Sequence, residues 1–394
     1  MSEKYDILVV GAGPAGSTAA RLAAENGANV LMVDKRHELG TPVQCGEALG
    51  DDILNELDIE PDPRWAINKI DSAKLVSPSG IPVVMREKFG EKVGYILDRK
   101  VFDKHLAILA ARAGADIRVC TFVDGLLTED GRIKGVTARS LGGKTKINAD
   151  IIIAADGIMS RVAWWAGVDT TLKPSEIESG IQFKMTNIEI DSTSFMEYYF
   201  SSEIAPGGYA WIFPRGDDTA NVGLGVLGSL SKKPPIEYLR DFVKSQAGLR
   251  GGEVIELNGG GIPVSGHVSR MVKDNIMIVG DAARQVNPMT GGGMNWSMRA
   301  ASIAGEVSSK AVENDDVCEE SLSQYEDRYL DLMGEKMELY RKGKDIMLTL
   351  SDEELDSLAE ALEGVDFDRI SLTDLLEVIA EASPKLMGEL EDLF

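Results

Sequence analysis

The chain has 394 residues, 44% hydrophobic and 27% charged, with 41 glycines and 14 prolines, a composition that suits two or three soluble domains with a sizeable core. Its 41 basic and 64 acidic residues leave a net charge of −23, which excludes nucleic acid as a partner because a phosphate backbone demands a basic stripe. Three widely spaced cysteines imply no disulfide framework, three scattered histidines imply no metal site, and no segment approaches the roughly 18 apolar residues of a membrane span. The apolar start Ile7–Val10 is too short for a signal peptide, so a cytoplasmic location is expected.

In chain order, residues 5–10 read as a buried strand, Ala15–Glu25 as a helix and Ala28–Asp34 as a second strand. Gly11-Ala12-Gly13-Pro14-Ala15-Gly16 joins the first two. In that context Gly11 permits a tight turn, Gly13 admits a pyrophosphate to the backbone, and Gly16 lets the helix pack on the strand. Asp34 closes the second strand, where a carboxylate accepts hydrogen bonds from the ribose hydroxyls of an adenosine. The motif by itself serves NAD or FAD equally.

Helical patterning returns at Asp51–Leu57, and a β-like stretch over Ile70–Val84 is broken by the turn Ser77-Pro78-Ser79-Gly80. Arg99–Ala113 reads as an amphipathic helix, Asp116–Val123 and Arg132–Arg139 as strands, and Ile151–Ala155 as a strand covered on both faces. From Gly180 to about Val264 alternation dominates, in Gln182–Ile190, Phe195–Phe200, Tyr209–Phe213, Asn221–Leu227 and Val254–Leu257, which implies one inserted antiparallel sheet. Asn275–Val279 is again a buried strand, Gly293–Val312 a long helix, and everything beyond Ser321 helical. Ser351 with Glu354, and Ser371 with Asp374, have capping-box spacing. Residues 351–394 hold 14 acids and two bases, read as a solvated acidic helical surface.

Two further elements follow apolar strands. Ala155-Asp156-Gly157 comes after Ile151–Ala155, and Gly280-Asp281-Ala282-Ala283 after Asn275–Val279, with Gly291-Gly292-Gly293-Met294-Asn295 beyond it. This order of motifs resembles the FAD-dependent hydroxylase superfamily. The resemblance implies FAD as cofactor, with Asp281 on a ribityl hydroxyl and the Gly292, Gly293 and Met294 backbone facing the flavin pyrimidine edge. By the same resemblance Asp156 and Gly157 belong to the FAD site. Arg99 would reach the FAD phosphates, Val123 would contact the adenine through its backbone, and the stretch with Cys45, Gly46 and Ala48 would run beside the flavin.

Tyr209-Ala-Trp211-Ile-Phe213-Pro214, followed after eight residues by Gly223-Leu224-Gly225, is similar to the pattern of archaeal-type geranylgeranyl reductases, the digeranylgeranylglycerophospholipid reductase family. Cys45-Gly46-Glu47 and the acidic helical tail fit the same family, so the resemblance spans nearly the whole chain. It implies a mixed α/β fold: a Rossmann-type FAD-binding domain with an inserted antiparallel-sheet catalytic domain and a C-terminal helical region. The expected boundaries are 1–69, 97–179 and 265–320 for the FAD domain, 70–96 and 180–264 for the sheet domain, and 321–394 for the helices.

The implied activity is saturation of the isoprenoid double bonds of geranylgeranyl lipids, with Tyr209, Trp211, Phe213 and Pro214 lining the prenyl site. Gly223 and Gly225 would keep its opposite wall open. Cys45 is a candidate proton donor, the alternative being a small buried hydrophobe. Electrons would come from NAD(P)H or a ferredoxin, and membrane contact on the inner face of the cell membrane would be peripheral and apolar. Two other readings stay open. A flavin monooxygenase or halogenase shares the FAD motifs, although Arg284 stands where many hydroxylases have histidine. A non-catalytic prenyl carrier shares the fold and needs no redox chemistry.

Overall fold

The computed structural model describes residues 3–86, 94–365 and Val378. The chain divides into two compact units, each assembled from three separate stretches. The first comprises Met1–Pro42, Arg99–Leu172 and Pro263–Tyr340, and the second Val43–Asp98, Lys173–Ile262 and Arg341–Phe394. Residues 43–69, expected with the first domain, therefore lie in the second unit. The C-terminal helices are shared between the units at Tyr340 instead of forming a region of their own.

At the centre of the first unit, strand Glu3–Val10 lies parallel to Val30–Val33 on one side and Gly143–Ala154 on the other. Ile276–Ile278 and Asp116–Arg118 extend the parallel sheet at its two ends. Ile7, Leu8, Val9, Ile151, Ile152, Ile153 and the whole of Ile276–Ile278 are inaccessible to solvent, as a parallel sheet covered on both faces requires. Helix Pro14–Glu25 packs against helices Arg99–Ala113 and Met294–Glu313. At the second crossing a methyl on Gly305 would lie 2.7 Å from the carbonyl oxygen of Ala19, so the two backbones nearly touch.

The expected strand over Asp116–Val123 is two strands. Asp116–Arg118 joins the parallel sheet, Cys120 takes a left-handed conformation (φ +51°), and Phe122–Glu129 pairs antiparallel with Arg132–Ser140. The apolar run Ile151–Ala155 is the end of a longer strand, Gly143–Ala154, whose polar first half pairs with Arg132–Ser140.

The second unit is built on a seven-stranded sheet in the order Glu253–Pro263, Ile177–Thr186, Thr219–Leu227, Ala210–Pro214, Phe195–Tyr199, Ser72–Val76, Pro82–Arg86. It is not wholly antiparallel, because Phe195–Tyr199 runs parallel to Ser72–Val76. One face carries Phe183, Ile212, Val222, Leu224 and Val226 under helix Pro235–Ser245. That helix was not expected, though Ile236, Leu239, Phe242 and Val243 have helical spacing behind a proline at its first turn. The other face carries Tyr209, Trp211 and Phe213. A small sheet of Ala48–Leu49, Tyr95–Leu97 and Ala66–Lys69 belongs to the same unit.

Helix Asp352–Leu362 begins with the expected capping box: Glu354 N donates to Ser351 Oγ at 3.2 Å and Ser351 N to the Glu354 carboxylate at 2.7 Å. The second capping box, Ser371 with Asp374, lies outside the described residues. Two acids of the first turns are structural and not merely solvated. Asp352 accepts from the Ser202 backbone, and Asp356 from Ser77 Oγ at 2.6 Å and Ser79 N at 2.8 Å.

Candidate functional site

In the first unit the glycine turn is constrained at two of its three glycines. Gly11 has φ +105°, and a methyl there would lie 2.2 Å from the Ala155 carbonyl oxygen. A methyl on Gly16 would lie 1.8 Å from the Gly11 carbonyl oxygen. Gly13 differs, because nothing in the protein lies within 4 Å of where its Cβ would be. Helix Pro14–Glu25, which it opens, has no side-chain cap and no acid in its first turn, so its N-terminal N–H groups are left for an anion. Asp34 ties the end of the second strand to this turn, its Oδ2 accepting from Ala12 N at 2.9 Å and Oδ1 from Arg36 N at 2.8 Å. Each oxygen keeps a second lone pair for a ribose hydroxyl. Thr121 N donates to the Asp34 carbonyl at 2.8 Å, which brings the segment leading to buried Val123 alongside.

Asp156 accepts at Oδ2 from Val162 N at 3.1 Å and so caps the short helix Arg161–Trp165. Its Oδ1 is buried without a hydrogen-bond partner, and burial pushes the carboxyl above the usual carboxylate range against the backbone N–H groups that lower it. Gly157 beside it has φ +74°.

Gly280 (φ +69°) opens a single 3-10 turn over Gly280–Ala283, and the Cβ of Ala15 lies 3.0 Å from where a Gly280 Cβ would be. That turn is fixed from behind by a buried relay. Gly280 N donates to Gln285 Oε1 at 2.7 Å, Gln285 Nε2 donates to Tyr325 Oη at 2.7 Å, and Tyr325 Oη donates to the Ile278 carbonyl at 2.8 Å. Asp281 is pushed above the usual carboxylate range by burial, which the Arg99 charge opposes. Arg99 itself is turned onto Asp103, with Nε and one terminal nitrogen 2.6 and 2.9 Å from the two carboxylate oxygens.

A methyl on Gly293 would lie 3.5 Å from Asp281 Oδ1, so the glycine loop and this acid adjoin. Gly292 N donates to Thr290 Oγ1 at 3.3 Å, and Met294 begins a 20-residue helix whose N-terminus again has neither side-chain cap nor acid. Two uncapped helix N-termini, an orphaned buried carboxylate oxygen and an open approach to Gly13 fit a dinucleotide with a pyrophosphate at one end and hydroxyl donors at the other.

In the second unit, Tyr209, Trp211 and Phe213 stand on one face of the sheet, as alternation requires. Trp211 and Phe213 stack at 5.9 Å, and Tyr198 meets Tyr209 and Phe213 edge-on at 5.3 and 5.4 Å. Ala48 packs into this cluster, and the Pro214 carbonyl accepts from Asn68 Nδ2 at 2.8 Å. Gly223 and Gly225 do not hold an open wall. A methyl on Gly223 would lie 2.4 Å from Trp211 Cζ2, and one on Gly225 would lie 2.5 Å from Glu178 Oε2. The first glycine seats an indole and the second an acid.

Cys45 and Gly46 lie over the same face. Trp211 Nε1 donates to Gln182 Oε1 at 2.9 Å, Gln182 Nε2 donates to the Cys45 carbonyl at 3.1 Å, and a methyl on Gly46 would lie 3.0 Å from Phe213 Cε2. Glu47, fully buried with φ +70°, anchors the segment. Its carboxylate accepts from Arg215 and from Asn221 Nδ2 at 2.9 Å, with Lys184 Nζ 4.0 Å away. Sequence reasoning missed Gln182, Asn221, Arg215, Gln285, Tyr325 and Glu178. The legible signal was polar residues at inward positions of alternating strands: Glu178, Gln182 and Asn221 all have it.

Residues 176–262 match the geranylgeranyl reductase catalytic domain family, and residues 9–61 an NAD(P)-binding Rossmann-like domain. A digeranylgeranylglycerophospholipid reductase of Methanothermobacter thermautotrophicus is 46% identical over 100% of this chain and 99% of its own length. The crystal structure of a geranylgeranyl bacteriochlorophyll reductase-like protein from Thermoplasma acidophilum is similar at TM-score 0.93 and 38% identity, covering 100% of both chains. A flavin-dependent brominase shares the fold at TM-score 0.75 but only 17% identity, over 97% of this chain and 100% of its own.

Proposed function

The chain belongs to the digeranylgeranylglycerophospholipid reductase family, and from that premise we propose that it is an FAD-dependent reductase of geranylgeranyl chains on glycerol phospholipids. The observation that carries the reading is the aromatic face Tyr209–Trp211–Phe213, with Gly223 stripped to let the indole lie flat. Such a face offers a prenyl chain apolar ring surface, and of its polar groups the Trp211 N–H is already satisfied by Gln182.

Gly11, Gly13, Ala15 and Gly16 would shape the FAD pyrophosphate site, with Asp34 on the ribose and Val123 beside the adenine. Asp156, Gly157, Gly280, Asp281, Gly292, Gly293 and Met294 would hold the ribityl chain and ring. Arg99, held on Asp103, would reach the FAD phosphates. When bound and reduced, FAD supplies a hydride. The protein's own part is to bind the prenyl chain in register, exclude water and provide a proton. Cys45, held through its carbonyl by Gln182, keeps its place as a candidate beside the aromatic face.

The test is anaerobic incubation of pre-reduced enzyme with a geranylgeranylated glycerol phospholipid, followed by mass spectrometry. A pair of hydrogens gained per double bond supports the reading, and an oxygenated or halogenated product overturns it. A colourless protein that binds the lipid without FAD favours a prenyl carrier. Titration with NADPH and with reduced ferredoxin, followed by flavin bleaching, separates the two candidate donors. Among the described residues no helix is long and apolar enough to cross a membrane, so contact with the lipid's home membrane would be peripheral.

A further inference from the structure

Glu178 stands two residues before Gly180 and four before Gln182 on strand Ile177–Thr186, so all three share a sheet face. It is the face on which Gln182 holds Trp211 and the Cys45 carbonyl. The carboxyl leans over Gly225, whose missing side chain makes its room, and a methyl on Gly208 would lie 3.4 Å from its Cδ. Glu178 is 6% exposed, and among the described residues no hydrogen bond or ion pair holds it.

Two elements send titratable groups toward it. Tyr209, just before strand Ala210–Pro214, feels the charges of both Glu178 and Cys45 on its phenol. Lys344, on helix Glu335–Met347, draws the Glu178 pKa down from a distance. Burial outweighs Lys344 and raises the carboxyl to about 7. A buried acid without a partner destabilises the fold, and among the described residues no contact accounts for it.

We propose that Glu178 delivers the proton that completes saturation of the prenyl double bond. The assignment rests on the reductase reading above. Each alkene carbon gains one hydrogen. The hydride, with both electrons, would be supplied by bound, reduced FAD, which would be oxidised as the alkene is reduced. The proton comes from the Glu178 carboxyl, whose O–H bond breaks as the second C–H bond forms. The carboxylate left behind regains its proton from solvent, and Lys344 stabilises its charge in the interval. Positive charge building on the more substituted carbon would be met by the ring faces of Tyr209 and Trp211, which is what an unactivated alkene needs from its surroundings.

The experiment compares wild-type holoenzyme with Glu178→Gln and Glu178→Asp. The flavin absorption spectrum and anaerobic reduction by dithionite first establish that each variant folds and loads FAD. Pre-reduced enzyme is then mixed with the geranylgeranylated phospholipid, and flavin reoxidation is followed together with product mass. Glu178→Gln is expected to slow reoxidation by about 100-fold or more, the usual contribution of a positioned acid, with lipid binding unchanged.

Wild-type rates should fall as pH rises through about 7, Glu178→Asp should move that limb, and Glu178→Gln should abolish it. Infrared difference spectra should show a protonated carboxyl at about pH 6 that Glu178→Gln removes. An equally fast Glu178→Gln enzyme, or a limb that survives in it, overturns the proposal while leaving the reductase reading intact. A wild-type enzyme that leaves the lipid unsaturated overturns both.

Discussion

Trp211 and Gly223 face each other across paired strands, and the indole occupies the volume a side chain at 223 would need. Gly223→Ala puts a methyl 2.4 Å from Trp211 Cζ2 and 2.8 Å from the Ile181 carbonyl, so either ring or strand must move. Overpacking of this kind costs about 1–3 kcal/mol. A urea midpoint lowered to match, with altered near-ultraviolet circular dichroism from the tryptophan, is the expected result. Glu178 makes a second prediction through proton linkage. Its folded pKa of about 7 lies above the ordinary 4.5, so between those values the native state holds a proton that the unfolded chain has released. The stability involved is fully present below 4.5 and is lost as pH rises through about 7, a fall of roughly 3 kcal/mol at most. The difference between wild type and Glu178→Gln, measured by denaturant unfolding across that window, isolates it from Asp156 and Asp281, whose shifts have the same sign.

Among elements, the relay from Gly280 through Gln285 to Tyr325 links a turn, a strand end and helix Gln324–Tyr329. Tyr325→Phe leaves Gln285 Nε2 and the Ile278 carbonyl without their buried partner. A loss of about 1–3 kcal/mol is expected, with weaker FAD retention on gel filtration because the Gly280-Asp281 turn loses its backing. This relay also shows what was legible in the sequence. The glycine turn, its helix and the apolar strands could be read because each depends on neighbours in the chain. Tyr325 could not be placed, since its partners lie 40 and 47 residues away and nothing local marks it. The run Asp116–Val123 failed for a local reason, the left-handed Cys120 that ends one strand and starts another. The glycines at 223 and 225 were found by pattern, but what fills their space comes from two other strands. Helix Pro235–Ser245 was hidden among alternating segments although its own spacing is helical.

For the molecule as a whole, charge governs what surfaces it approaches. A net charge of −23 repels an anionic bilayer, so the membrane contact proposed for this enzyme would have to rest on apolar surface. Flotation assays should show weaker binding to phosphatidylcholine vesicles once phosphatidylglycerol is added, with the difference closing as salt rises. Stronger binding to the anionic vesicles would mean that a local basic patch overrides the global field.

The division of each unit into three stretches has a consequence for synthesis on the ribosome. Helix Pro14–Glu25 is made at the start, yet the helix it packs against, Met294–Glu313, emerges almost 300 residues later. Strand Ile276–Ile278, which borders the parallel sheet, is equally late. The glycine turn therefore waits through most of translation with one flank of its sheet and one of its helices missing. Neither unit can close by folding its N-terminal part first, as domains strung in series do. Nascent chains halted before Ile276 should remain open to protease and fail to retain FAD, and cofactor loading becomes one of the last events in the making of this protein.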